Sequence, residues 1–88
     1  MAEFKDTISL NRHREENSVA AILKSVYEAL QTKGYDPVSQ IVGYIMSGDP
    51  TYITSYNNAR YLISQVERDD ILELLLTTYI REVIEKEK

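Results

Sequence analysis

Three groups of residues in this chain are of types that could do chemistry. Glu67, Asp69, Asp70 and Glu73 crowd one short stretch, and hard cations such as calcium take oxygen ligands of that kind. The same acids are also what the start of a helix attracts, because the macrodipole favours negative charge in its first turn, and this second reading is preferred. Gly43 and Gly48 stand at the spacing of the glycines in a phosphate-binding P-loop. Asp49-Pro50 then replace the lysine and hydroxyl residue that such a loop needs, and an aspartate there would repel phosphate. His13, the one histidine, sits between Arg12 and Arg14 with Glu15 and Glu16 directly behind, a solvated charge run rather than a held general base. With no cysteine nucleophile either, the sequence predicts a protein that is not an enzyme and has no cofactor or metal.

Composition narrows the classes further. Eighty-eight residues make one small domain, too short to bury a large share of its surface. The absence of cysteine removes disulfides and thiolate metal sites. No apolar run approaches the roughly 18 residues of a membrane span, so no membrane insertion is expected. The opening "MAEFKDTISL" lacks the basic start and apolar core of a signal peptide, which predicts a cytoplasmic protein. Fourteen acidic residues against ten basic ones give a net charge of -4. Nucleic-acid affinity rests largely on clustered Lys and Arg, so no nucleic-acid partner is expected. The alternative, a small helix-turn-helix-like nucleic-acid module, would show salt-steep retention on a phosphate column.

The elements that would position these residues are helices. Residues 1–16 show neither helical nor strand periodicity and read as a mobile tail; residues 17–88 read as the helical domain. Val19, Ile22, Leu23, Val26, Tyr27 and Leu30 fall on one face of a first helix, capped by Asn17 or Ser18 and stopped by Gly34. Val38, Ile41, Val42, Ile45 and Met46 mark a second. Asp36 with Pro37 opens it, since an aspartate accepts from an unpaired first-turn amide and proline has no amide to leave unpaired. Gly48 closes it, and Asp49-Pro50 opens a short turn through Thr51-Tyr52-Ile53. Ser55 or Asn57 caps a third helix with Ala59, Leu62, Ile63 and Val66 inward. Asp69 or Asp70 caps the last, with Asp70 and Glu73 as a capping box and a break near Arg68. The expected fold is all-α: a bundle of four main helices plus one short turn.

The last helix carries more apolar surface than one core contact requires. Ile71, Leu72, Leu75, Leu76, Tyr79, Ile80 and Val83 cover about half its circumference, wider than the ~100° stripe of a core-facing helix. Tyr44 and Tyr61 are expected to point away from the inner faces of their helices. Tyrosine on outer faces favours interfaces, so a homodimer through Tyr44, Tyr61, Leu72, Leu76, Tyr79 and Ile80 is expected.

"KGYDPVSQIVGYIMSGDPTYIT", followed by "NAR", "LI" and "ERD", resembles the IreB family of small Gram-positive bacterial proteins, over about Val19 to Tyr79. The resemblance implies a small, helical, homodimeric cytoplasmic regulator. It implies a protein phosphorylated near its N-terminus by a membrane-anchored Ser/Thr kinase that senses the cell wall, a cognate phosphatase, a downstream protein partner, and negative regulation of tolerance to cell-wall antibiotics. Carried over by position, the phosphoacceptor is Thr7 in "FKDTISL". The family pattern can hold a second threonine three residues earlier; here that position is Phe4, which leaves Ser9 as the substitute to test.

Overall fold

The computed structural model describes residues 18–87, and among these every regular element is helical. Helix α1 (18–32) ends in two reciprocal turns around Gly34, whose φ of 84° is left-handed. The Gly34 amide donates to the Gln31 carbonyl at 3.0 Å and the Tyr35 amide to Leu30 at 2.9 Å. That pairing satisfies carbonyls the helix end leaves open and needs a residue without a Cβ penalty. Asn17 lies outside the described residues, as do residues 1–16, and Ser18 is already helical.

Helix α2 (Pro37–Ser47) follows after four residues. The Asp36 carboxylate accepts from the Val38 amide at 3.2 Å and from the Ser39 hydroxyl at 3.0 Å. At the far end Gly48 is again left-handed and its amide donates to the Tyr44 carbonyl at 2.7 Å. Asp49 then caps a 3-10 turn, Pro50–Tyr52, accepting from the amide and hydroxyl of Thr51 at 3.0 and 2.7 Å. This turn folds back on α2: a Cβ on Gly43 would run into the Tyr52 ring, so only glycine permits the approach. The Gln40 side-chain amide donates to the Tyr52 carbonyl at 2.8 Å and fastens the same contact.

A second 3-10 turn, Tyr56–Asn58, leads into α3 (Ala59–Ser64), and α4 (Arg68–Tyr79) continues through a wider turn, Ile80–Ile84, to a 3-10 turn at Glu85–Glu87. Two expected caps are corrected here. Neither Ser55 nor Asn57 accepts from a helix amide; the Thr54 hydroxyl takes the Tyr56 amide at 3.2 Å. Asn57 and Asn58 are instead both left-handed, a conformation Asn tolerates better than most residues. Asp70 is not the N-cap of α4 either. The helix begins two residues earlier, with Glu67 in the extended cap position, and the Asp70 amide already donates to the Glu67 carbonyl at 3.1 Å. Asp69 and Asp70 lie in the first turn, where the macrodipole favours them without any side-chain cap.

The core draws on all four helices and the first short turn: Val19, Val26, Ala29 and Leu30, then Ile41 and Tyr44, Ile53, Ala59 and Ile63, and Ile71. Ile22, Leu23, Ile45, Val66 and Leu74 pack around it. Tyr44 is the chief correction. Expected on the outside, it is only 7% exposed, while Val38 (70%) and Met46 (78%) face solvent and Val42 is half exposed. The apolar residues of α2 span more than one face, so periodicity leaves open which edge turns inward. Burying the large tyrosine ring removes more apolar surface than burying two valines' tips.

Candidate functional site

The glycines spaced like a P-loop do not form one. Residues 43 to 47 are helical, and Gly48 is filled from outside by Arg68, whose guanidinium would meet a Cβ there at 2.9 Å. Arg68 Nη1 donates to the Ile45 carbonyl at 2.9 Å across 23 residues of sequence. It thereby satisfies a terminal carbonyl of α2 with a cation, as the negative end of the helix dipole favours. Arg68 was read from the sequence only as a break point; its structural role, joining the start of α4 to the end of α2, has no local sequence signal. The carboxylates of residues 67 to 73 are spread around the first turns of α4. Among the described residues no group of three or more His, Cys, Asp or Glu is placed to hold a metal ion.

Among the described residues, Asp49 carries a clear perturbation. Its carboxyl is held below the usual aspartate value, first by the Thr51 hydroxyl, then by the Thr51 amide, with a smaller contribution from the Arg60 charge. Both leading causes are hydrogen bonds within one capping turn. Arg60 itself is tied down, Nε donating to the Ile53 carbonyl at 2.8 Å.

The most extensive open feature of the described helices is uncovered apolar surface. On α4 only Ile71 and Leu74 turn toward the core. Leu72, Leu75, Leu76, Tyr79, Ile80, Val83 and Ile84 are all exposed, with Leu76 at 57%. Leu74 was absent from the inner face read in the sequence, because three successive leucines hide which of them points inward. Tyr61, 62% exposed on α3, stands over an open hollow with Pro50, Arg60 and Ser64. A second hollow lies between α2 and α4, lined by Ile45, Leu72, Glu67, Arg68 and Asp69. Lys33 packs over the Tyr56 ring at 5.3 Å, joining α1 to the second short turn. Thr7, Ser9 and the Arg12-His13-Arg14 run lie outside the described residues. No described helix is long and apolar enough to cross a membrane.

The described residues thus form a small all-α domain with helix ends fastened by caps and an apolar face left open. A family model described as IreB regulatory phosphoprotein matches residues 5–81. A protein of Acetivibrio thermocellus, named only as a UPF0297 protein, is 52% identical over 83 residues, covering 93% of this chain and 92% of its own. A UPF0297 protein of Ruminiclostridium cellulolyticum is 53% identical over 68 residues, covering 77% of each chain. The chain belongs to the IreB family of regulatory phosphoproteins.

Proposed function

We propose that this chain is a non-enzymatic, homodimeric cytoplasmic regulator, phosphorylated on Thr7 by a membrane-anchored Ser/Thr kinase in cell-wall stress signalling. In this reading it restrains tolerance to cell-wall antibiotics, a cognate phosphatase reverses the modification, and a downstream protein reads it. The observation that carries the proposal is the match to the regulatory phosphoprotein family over residues that include Thr7. The open apolar face of α4 supports self-association, with Tyr61, Leu72, Leu76, Tyr79 and Ile80 as the interface; Tyr44, being buried, is withdrawn from that set.

Phosphorylation would add about -1.5 to -2 charges beside Glu3 and Asp6. Added eleven positions ahead of Ser18 in sequence, that charge is expected to act on contacts rather than on the helical fold. Co-expression with a Ser/Thr kinase, followed by intact-mass and phosphopeptide analysis, is expected to give one phosphate on Thr7 that Thr7→Ala abolishes. Phosphate found only within residues 17 to 88 would overturn the assignment.

A further inference from the structure

The chain's net charge is -4, yet no carboxylate lines the open hollow beside Tyr61. Its wall is Pro50, Ser55, Asn58, Arg60, Tyr61 and Ser64. Arg60 is fixed there, its Nε donating to the Ile53 carbonyl at 2.8 Å and its backbone amide to the Thr54 carbonyl at 3.1 Å. A guanidinium carries five N–H donors in a rigid fork. Ile53 takes one of them, and among the described residues neither terminal nitrogen has a hydrogen-bond or ion-pair partner. Asp49 is close enough to feel that charge. Its Oδ1 already accepts from the amide and hydroxyl of Thr51, and it forms no ion pair with Arg60.

Other polar groups of the wall are also unspent. Neither Ser55 nor Asn58 makes a side-chain cap bond, whereas the Ser64 hydroxyl donates to the Tyr61 carbonyl at 2.6 Å. The left-handed residues Asn57 and Asn58 turn the chain so that Ser55 and Asn58 line the same hollow. A fixed fork with two neutral donors beside it and no carboxylate in the wall suits an oxyanion. A carboxylate has two oxygens, both of which the fork would take up. A phosphate has further oxygens for the serine and asparagine, and more charge. Pro50 and the Tyr61 ring, 62% exposed, offer apolar surface to the carbon chain of an ester.

We infer that this hollow binds a phosphate group, Arg60 engaging it through both terminal nitrogens while Ser55 and Asn58 donate to the remaining oxygens. The inference rests neither on the proposed kinase role nor on the proposed dimer.

The test titrates the isotopically enriched full chain with inorganic phosphate, with O-phosphothreonine capped at both ends, and with acetate. Ionic strength is held fixed, because salt screens exposed charges. Both phosphates are expected to give saturable shifts at the Arg60 Nε–H and the Ser55 and Asn58 amides, and acetate to bind more weakly. Arg60→Gln is expected to weaken phosphate binding about tenfold, as loss of a hydrogen bond to a charged group implies. Ser55→Ala with Asn58→Gly is expected to weaken it by a similar factor, glycine keeping the left-handed backbone at 58. This pair leaves the bond from Arg60 to Ile53 in place, so it decides the matter if Arg60→Gln does not fold. Tighter binding of the ester than of inorganic phosphate would assign a protein-borne phosphate, and equal binding the free ion. Leu76→Glu is expected to bind equally well; loss there would place the site across the dimer contact and overturn the single-chain hollow. Shifts spread evenly over Lys24, Lys33 and Arg81, acetate binding as tightly as phosphate, or affinity indifferent to the Ser55 and Asn58 pair would each overturn the inference.

Discussion

Asp36 and Asp49 do the same work at two scales of helix, one opening eleven residues of α2 and the other a single 3-10 turn. Asp36→Ala removes the acceptor for both Val38 and Ser39 and is expected to cost about 1 kcal/mol, some 4–8 °C in melting temperature for a domain of this size. Asp49→Ala is expected to lower the melting temperature as well, since two Thr51 donors lose their partner. The pH dependence of Asp49 has a definite sign. Its folded pKa is depressed, so its contribution is complete above the ordinary aspartate value and fades as pH falls through the lowered folded one. Melts of parent and Asp49→Asn are therefore expected to differ most near neutrality and to converge in acid. Parallel curves over that whole range would show that the capping bonds carry no linkage.

At the scale of elements, Arg68 is the clearest case of a residue that joins two helices. Its guanidinium occupies the space beside Gly48 and donates to Ile45, so Arg68→Ala frees a terminal carbonyl of α2 and the start of α4 together. The site is exposed, which places the expected loss at about 1 kcal/mol, that of an ordinary hydrogen bond rather than the larger value of one to a charged group. Arg68→Lys is expected to recover only part of it, because an ammonium lacks the planar fork. Thermal melts of the three proteins check this, and equal stability of parent and alanine variant would dismiss the joint. Helix existence was legible because local chemistry declares it: Gly34 and Gly48 as left-handed stops, Asp36-Pro37 and Asp49-Pro50 as starts. Helix orientation was less legible. Tyr44 and Leu74 turn inward where the pattern favoured Val42 and Leu72, since an apolar arc wider than the buried stripe leaves its rotation to tertiary contacts. Asp70 was mistaken for a cap for a related reason: three acids near one helix start all suit the dipole, and only the backbone at Glu67 decides.

The whole molecule leaves its last helix incomplete. Beyond Leu74 no residue of α4 or the turns that continue it is buried. A small domain without disulfides gains little from a solvated apolar helix end. A two-fold partner, as proposed, would supply what is missing, since an isologous contact sets the same face of each copy against the other. Leu76 and Tyr79, adjacent by helical spacing and both more than half exposed, would stand at its centre, with Tyr61 as the aromatic edge. A stable contact of this kind buries roughly 1,200–2,000 Å² in total. A melting temperature that rises with protein concentration is then expected, which a monomer would not show. Light scattering across a concentration series is expected to return twice the chain mass, falling toward a single chain on dilution. Leu76→Glu would place two like charges across the symmetry axis and is expected to give monomers that melt lower, while Tyr61→Glu weakens association less. A parent that stays monomeric at high micromolar concentration would end the proposal. A dimer that ignores Leu76→Glu but is broken by Val42→Glu would move the interface from α4 to the outer stripe of α2.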